Sequence, residues 1–140
     1  MMLTWDTWSA TDEYFAAFAG ADDPRGRMSA INLPLLRRAR PRWSDQVSCI
    51  PLVGLCMGFK SISEDLPGYV RVEPRPDNPS GPVVAVTLYG PTLRWPRNES
   101  LVGATMCRLE TADAVLESYL LQIGDEQRAD DACPFWTPAT

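Results

Sequence analysis

Thirteen prolines in 140 residues are the feature that most restricts how this chain can fold. Proline lacks a backbone N–H, and its ring clashes with the preceding helical turn, so it interrupts helices and interior strands. The prolines outnumber the nine glycines. An all-helical bundle is therefore disfavoured, and we expect short elements joined by rigid, irregular connections.

Length and apolar content indicate one folded domain. Residues of apolar type make up 45% of the chain, and five of them are tryptophans. This is enough apolar surface to fill a core, so a disordered chain is disfavoured. The sequence predicts a single globular domain over residues 1–124 and an acidic, proline-containing tail over residues 125–140.

The middle of the chain favours strands, because it is rich in β-branched residues and shows stretches of alternating polarity. One strand is predicted to contain bends, because Pro51, Gly54 and Gly58 interrupt it. Leu93–Trp95 is predicted to be a short edge strand. The other predicted strands are Val47–Ile62, Tyr69–Glu73, Val83–Tyr89 and Leu101–Leu109.

Helices are predicted at both ends of this β region. The first has Ser9 or Thr11 as its N-cap and ends at Gly20. The last begins at Thr111, and its apolar residues recur with a helical period up to Gly124. Between the first helix and the strands, Ala21–Arg27 is predicted to be a linker. Ser29–Arg40 is predicted to be either a short helix from Pro34 or an extended arm, and Pro41 ends it.

Together these elements predict an α+β fold. We expect a small antiparallel sheet or partly open β-barrel of about four strands, flanked by N- and C-terminal helices.

The chain contains no histidine. This excludes Ser-His-Asp and Cys-His catalysis and histidine zinc sites. The four cysteines lack CxxC spacing; Cys49, Cys56 and Cys107 lie among apolar residues and are predicted to be buried thiols, whereas the disulfide state of all four, Cys133 included, stays open. No catalytic residue, metal or cofactor is predicted. A small carboxylate-dependent enzyme or nucleotide-binding domain remains an alternative.

Charge is unevenly distributed along the chain, whose net charge is −5. Arginines are concentrated between Arg25 and Arg42, with no acidic residue between Asp23 and Asp45, and the acidic residues gather towards the two ends. This basic segment is predicted to bind an acidic protein surface. RNA is the alternative ligand, with Trp43 stacking on a base. A third interpretation is a solvated loop, or one that pairs with the chain's own acidic ends. The predicted contact residues are Arg37, Arg38, Arg40, Arg42 and Trp43.

Aromatic residues outside the predicted sheet complete the candidate binding set. They either anchor a partner or cap the core, and tryptophan is frequent at binding hot spots. These residues are Trp5, Trp8, Phe135 and Trp136.

The sequence thus predicts a non-enzymatic protein–protein interaction or assembly protein, with a protein partner, a homo-oligomer, or both. The composition is typical of a small viral or phage-type accessory or structural protein. An RNA-binding protein using Arg25–Trp43 is the runner-up. Because no secretory leader or membrane-spanning run is apparent, we expect a soluble, intracellular protein, cytoplasmic or nuclear.

Overall fold

In the part of the chain that the structure describes, two helices, five consecutive strands and a third helix follow one another, and a very short sixth strand comes after them. The structure is a computed structural model and describes residues 6–62, 68–91, 99–123 and 136–138. The helices are α1 (Thr7–Phe18), α2 (Pro24–Trp43) and α3 (Leu109–Leu120). The strands are β1 (Val47–Leu52), β2 (Cys56–Ser61), β3 (Tyr69–Arg75), β4 (Val83–Pro91), β5 (Glu99–Arg108) and β6 (Trp136–Pro138).

Strands β1 to β5 form an open antiparallel sheet in sequence order, and β6 pairs in parallel with β5. Cys49 lies opposite Phe59, Phe59 opposite Val70, and Val70 opposite Leu88. Because side chains alternate between the faces of a sheet, these residues share one face. All four are buried there. The α+β class with flanking helices is confirmed, and the sheet is open.

One hydrophobic core joins the three helices to this face of the sheet. Helix α2 lies between α1 and α3; α1 contacts β1, and α3 contacts β3, β4 and β5. Phe15 of α1, Leu36 of α2 and Leu116 of α3 are buried in the core. Among the described residues, none of the helices is long and apolar enough to cross a bilayer.

The start of each predicted terminal helix is corrected by a few residues. Asp6 caps α1: its carboxylate accepts from the Ser9 backbone N–H at 3.0 Å and from the Ser9 hydroxyl at 2.7 Å. Thr11, one of the two predicted caps, is buried instead. Helix α3 starts two residues before Thr111, whose hydroxyl donates to the Arg108 carbonyl at 3.1 Å.

The predicted linker over Ala21–Arg27 is wrong, because α2 is one continuous helix of 20 residues. Neither alternative for Ser29–Arg40, a short helix from Pro34 or an extended arm, is correct, and the helix does not end at Pro41. Asp23 caps it by accepting from the backbone N–H groups of Arg25 and Gly26. A proline inside a helix removes one backbone hydrogen bond. Pro34 and Pro41 are two helical turns apart and both are exposed, as are Ala30 and Arg37, whose carbonyls lose their helical donors. Water can satisfy those carbonyls, so the helix continues.

The single bent strand predicted over Val47–Ile62 is a hairpin of β1 and β2, which raises the antiparallel count to five. The chain reverses through Gly54 at φ +76° and Leu55 at φ +61°. Asn32 of α2 holds this turn by donating to the Leu55 carbonyl at 2.8 Å. The strands predicted near β3, β4 and β5 are confirmed. The predicted strand at 93–95 lies outside the described residues, as does the tail except for β6.

Candidate binding surface

The four candidate arginines lie on the outer side of α2 and divide into two pairs. Arg37 and Arg40 reach towards α1, whereas Arg38 and Arg42 reach towards α3. The division follows from the helical period, because residues three or four apart share one side of a helix. The segment predicted to be one basic surface therefore forms two borders of α2 with different neighbours.

On the α1 border, both oxygens of each carboxylate accept hydrogen bonds. Arg37 holds Asp12 with two nitrogens, Nε to Oδ2 at 2.9 Å and Nη2 to Oδ1 at 3.1 Å. The hydrogen bonding from Arg37 is the largest cause that lowers the pKa of Asp12. Arg40 donates through Nη2 to Asp6 at 3.0 Å and to the Ser9 hydroxyl at 2.8 Å. Hydrogen bonds from Ser9 are the main reason that the pKa of Asp6 is lowered.

Beneath these ion pairs, α1 is tied to the edge of β1 by buried hydrogen bonds. The Trp8 indole N–H donates to the Val47 carbonyl at 2.8 Å, and the Thr11 hydroxyl donates to the Cys49 carbonyl at 2.7 Å. The Cys49 N–H donates to the Thr7 hydroxyl at 3.2 Å. Side chains of α1 thus occupy edge groups that would otherwise be open to another strand.

Two of the candidate tryptophans lie in the core. Trp8 is 3% exposed and packs against Phe59 with ring centroids 5.6 Å apart, and Trp43 is 6% exposed. Trp5 and Phe135 lie outside the described residues, and the side chain of Trp136 is not described either.

On the α3 border, each ion pair uses only one nitrogen and one oxygen. Arg38 donates from Nε to Oδ1 of Asp113 at 2.9 Å. Arg42 donates from Nη1 to Oε1 of Glu117, and its guanidinium also lies over the Trp43 ring, 5.2 Å from the centroid. The second carboxylate oxygens and the remaining guanidinium nitrogens have no hydrogen-bond partner among the described residues. About half of each of these four side chains is exposed.

The space between α2 and α3 forms a groove with two depressions, one on each side of Arg38. The larger has a volume of about 360 Å³ and is floored by Trp43, Leu116 and Leu120. The smaller has a volume of about 220 Å³ and is lined mainly by apolar residues: Ile31, Pro34, Leu35, Leu109 and Ala112. We call the groove and its charged borders the α2–α3 face.

The sequence interpretation did not name the individual acidic partners of the arginines, although a spacing signal was present. Arg38 and Arg42 are four residues apart, and so are Asp113 and Glu117, so both pairs form matching rows on their helices. The remaining arginines of α2 are also paired: Arg25 with its own N-cap Asp23, and Arg27 bidentately with Asp77. The basic segment therefore pairs with acidic residues of the same chain, which was the third interpretation of the sequence.

The cysteines behave as the sequence predicts in the part of the chain described. Cys49, Cys56 and Cys107 are buried free thiols. Burial raises the pKa of the Cys49 and Cys107 thiols, which suppresses their reactive thiolate form. Within the same described residues, no group of three acidic or cysteine side chains is placed to hold a metal ion.

A polar and aromatic cluster on the opposite face of the sheet was not anticipated. The rings of Tyr69 and Tyr89 stack with their centroids 4.8 Å apart. Next to them, Arg71 donates to the Cys56 sulfur at 3.4 Å and lies 3.6 Å from Glu73. Hydrogen bonding with Cys56 is the largest cause that raises the pKa of Arg71. The cluster satisfies its own charges, so it offers no evident binding chemistry.

Comparisons of the chain with protein-family models, with curated proteins and with solved structures found no match. The geometry of the described residues therefore carries the functional argument.

Proposed function

We propose that this chain is a non-enzymatic protein-association protein and that it binds its partner through the α2–α3 face. The observation that carries the proposal is the incomplete pairing of Arg38 with Asp113 and of Arg42 with Glu117 over an apolar groove. Protein interfaces commonly combine a buried apolar centre with arginine and a polar rim. The α2–α3 face has this composition.

The charge balance of the face supports a protein partner over RNA. Each arginine there lies beside a carboxylate, so a phosphate approaching Arg38 or Arg42 would also approach Asp113 or Glu117. Protein surfaces that bind nucleic acid instead present uncompensated positive charge. A partner protein brings both signs of charge and can satisfy the unused groups on both sides of the groove.

An intracellular setting and a small accessory or structural role belong to the same proposal. Cys49, Cys56 and Cys107 are buried free thiols. Free thiols support an intracellular setting, because disulfides form and persist mainly in oxidising compartments. The half-exposed charged rim of the α2–α3 face supports an assembly role, since a partner can bind its unused hydrogen-bonding groups.

The test compares two double variants that each reverse two charges of α2. Arg38→Glu/Arg42→Glu alters the α2–α3 face, and Arg25→Glu/Arg27→Glu alters the other end of the same helix as a matched control. The mass of the complexes formed in an extract of the native host is measured by size-exclusion chromatography with light scattering, and circular dichroism verifies that each variant is folded.

We expect the wild-type complex to be lost in the first variant and kept in the control. A complex that survives Arg38→Glu/Arg42→Glu, or a wild-type chain that forms no complex, would contradict the proposal. A salt-sensitive RNA complex lost on Arg37→Ala/Arg38→Ala would replace it with the RNA-binding alternative.

A further inference from the structure

We infer that the partner of the α2–α3 face is a second copy of this chain, related to the first by a two-fold axis parallel to the groove. The inference rests on the proposed function. The proposed function does not say which protein is the partner, and the inference does.

The two borders of the groove carry opposite charges at matching levels. The α2 border presents Arg38 and Arg42, and the α3 border presents Asp113 and Glu117. Since each ion pair spans the groove, Arg38 is level with Asp113, and Arg42 is level with Glu117.

A two-fold rotation about an axis along the groove exchanges the two borders and keeps the levels. It places α2 of one copy over α3 of the other, so Arg38 faces Asp113 of the second copy. A two-fold axis across the groove would instead place arginine over arginine. An isologous interface requires such self-complementarity, and only the first arrangement provides it.

The hydrogen-bonding capacity of the face fits this arrangement without breaking an existing pair. A guanidinium has five N–H donors and a carboxylate accepts at both oxygens. Arg38 and Asp113 use one nitrogen and one oxygen with each other. Their unused groups can bind the equivalent residues of the second copy, which turns two separate pairs into one cluster of four alternating charges.

The edge strand β1 is a poor alternative surface for self-association. Thr7, Trp8 and Thr11 occupy its outward backbone groups at Val47 and Cys49. The next outward position is Pro51, which has no N–H to offer. Pairing of two copies through β1 would have to displace α1 from the core, whereas the α2–α3 face is available without rearrangement.

The experiment uses two variants that each make the face uniformly charged. Arg38→Glu/Arg42→Glu gives an all-acidic face, and Asp113→Arg/Glu117→Arg gives an all-basic face. Analytical ultracentrifugation measures the self-association of the wild type, of each variant alone and of their equimolar mixture. Arg27→Glu and Asp77→Arg provide a control, because this ion pair lies away from the groove.

We expect a wild-type dimer, a roughly hundredfold or greater weakening of self-association in each groove variant, and a heterodimer on mixing the two. The two control variants should dimerise like the wild type, each alone and mixed. Restoration by mixing also shows that both groove variants are folded.

Two results would overturn the inference, and they bear differently on the proposed function. A wild type that stays monomeric at high concentration removes the second copy as partner, while the proposed function stands if Arg38→Glu/Arg42→Glu still abolishes a complex with a different protein. A dimer that persists in both groove variants places self-association on another surface and removes the second copy from this face.

Discussion

The two borders of α2 use the same residue types in different ways. Towards α1, Arg37 grips Asp12 with two nitrogens, and buried hydrogen bonds from Trp8 and Thr11 fix the helix to the sheet below. Towards α3, Arg38 and Arg42 make single contacts above an open groove. Both borders keep unused guanidinium donors, but the carboxylates of the first border accept at both oxygens, whereas those of the second accept at one.

The difference shows that a row of arginines does not by itself define a binding surface. A carboxylate that already accepts at both oxygens gains little free energy from a new donor, because the new bond competes with existing ones. A carboxylate with an unused oxygen can accept from a partner while keeping its existing ion pair. The α1 border should therefore affect stability, and the α3 border should affect association.

The largest expected effect on stability comes from Trp8→Ala. The substitution empties a buried site and leaves the Val47 carbonyl without its donor. We expect a loss of about 3–5 kcal/mol in the free energy of unfolding, measured by urea denaturation. Leu121→Ala is the control at the end of α3, where the side chain is 63% exposed, and should change stability by less than about 0.5 kcal/mol. Equal losses of unfolding free energy in Trp8→Ala and Leu121→Ala would contradict the expected difference between these two sites.

A smaller loss is expected from Thr11→Val, which keeps the shape of the side chain and removes only the hydroxyl. The buried Cys49 carbonyl then lacks a donor, at a cost of about 1–3 kcal/mol in the free energy of unfolding. Thr111→Val is the matched control on α3, because its hydroxyl donates to an exposed carbonyl, and should cost less than about 0.5 kcal/mol. Thermal and urea denaturation both report the difference. Unchanged stability in Thr11→Val would show that α1 does not depend on this bond.

Acid should weaken the α1 border. Hydrogen bonding from Arg37 lowers the pKa of Asp12 in the folded protein below its ordinary value of 3.8. Such a group stabilises the fold above that ordinary value, and its contribution is lost as the pH falls through the lower, folded value. Asp12→Asn should therefore be less stable than the wild type at pH 7, and the gap should close below about pH 4. Urea denaturation at each pH measures this difference in stability. A difference that stays constant from pH 7 to pH 2 would contradict this role.

The smallest effect on stability is expected at the α3 border. Arg38→Ala/Arg42→Ala removes two half-exposed ion pairs and should change the free energy of unfolding by no more than about 1 kcal/mol in total. The same variant should lose association in the ultracentrifuge. Arg37→Ala/Arg40→Ala, with the same charge change, should show a larger loss of stability, because it breaks the bidentate pair with the less exposed Asp12, and intact association. Identical behaviour of the two double variants would remove the distinction between the borders.

Local sequence patterns were sufficient for β3, β4 and β5 and for the presence, though not the exact starts, of the two terminal helices. Strand β3 alternates buried and half-buried residues, and α3 repeats its apolar residues with a helical period. The long helix α2 was missed because proline signals a break when it is considered alone. Whether Pro34 and Pro41 interrupt a helix depends on which side of it faces water, and only the packing of α2 onto the sheet reveals that.

The sequence by itself determined the absence of histidine chemistry, the α+β class and the segregation of basic and acidic residues along the chain. It did not determine which charges meet. Arg37 and Arg38 are neighbours in the chain, yet one is held bidentately by Asp12 and the other touches Asp113 through a single bond. Consecutive helical residues point in directions about 100° apart, so their partners depend on which helices the tertiary structure packs on either side of α2.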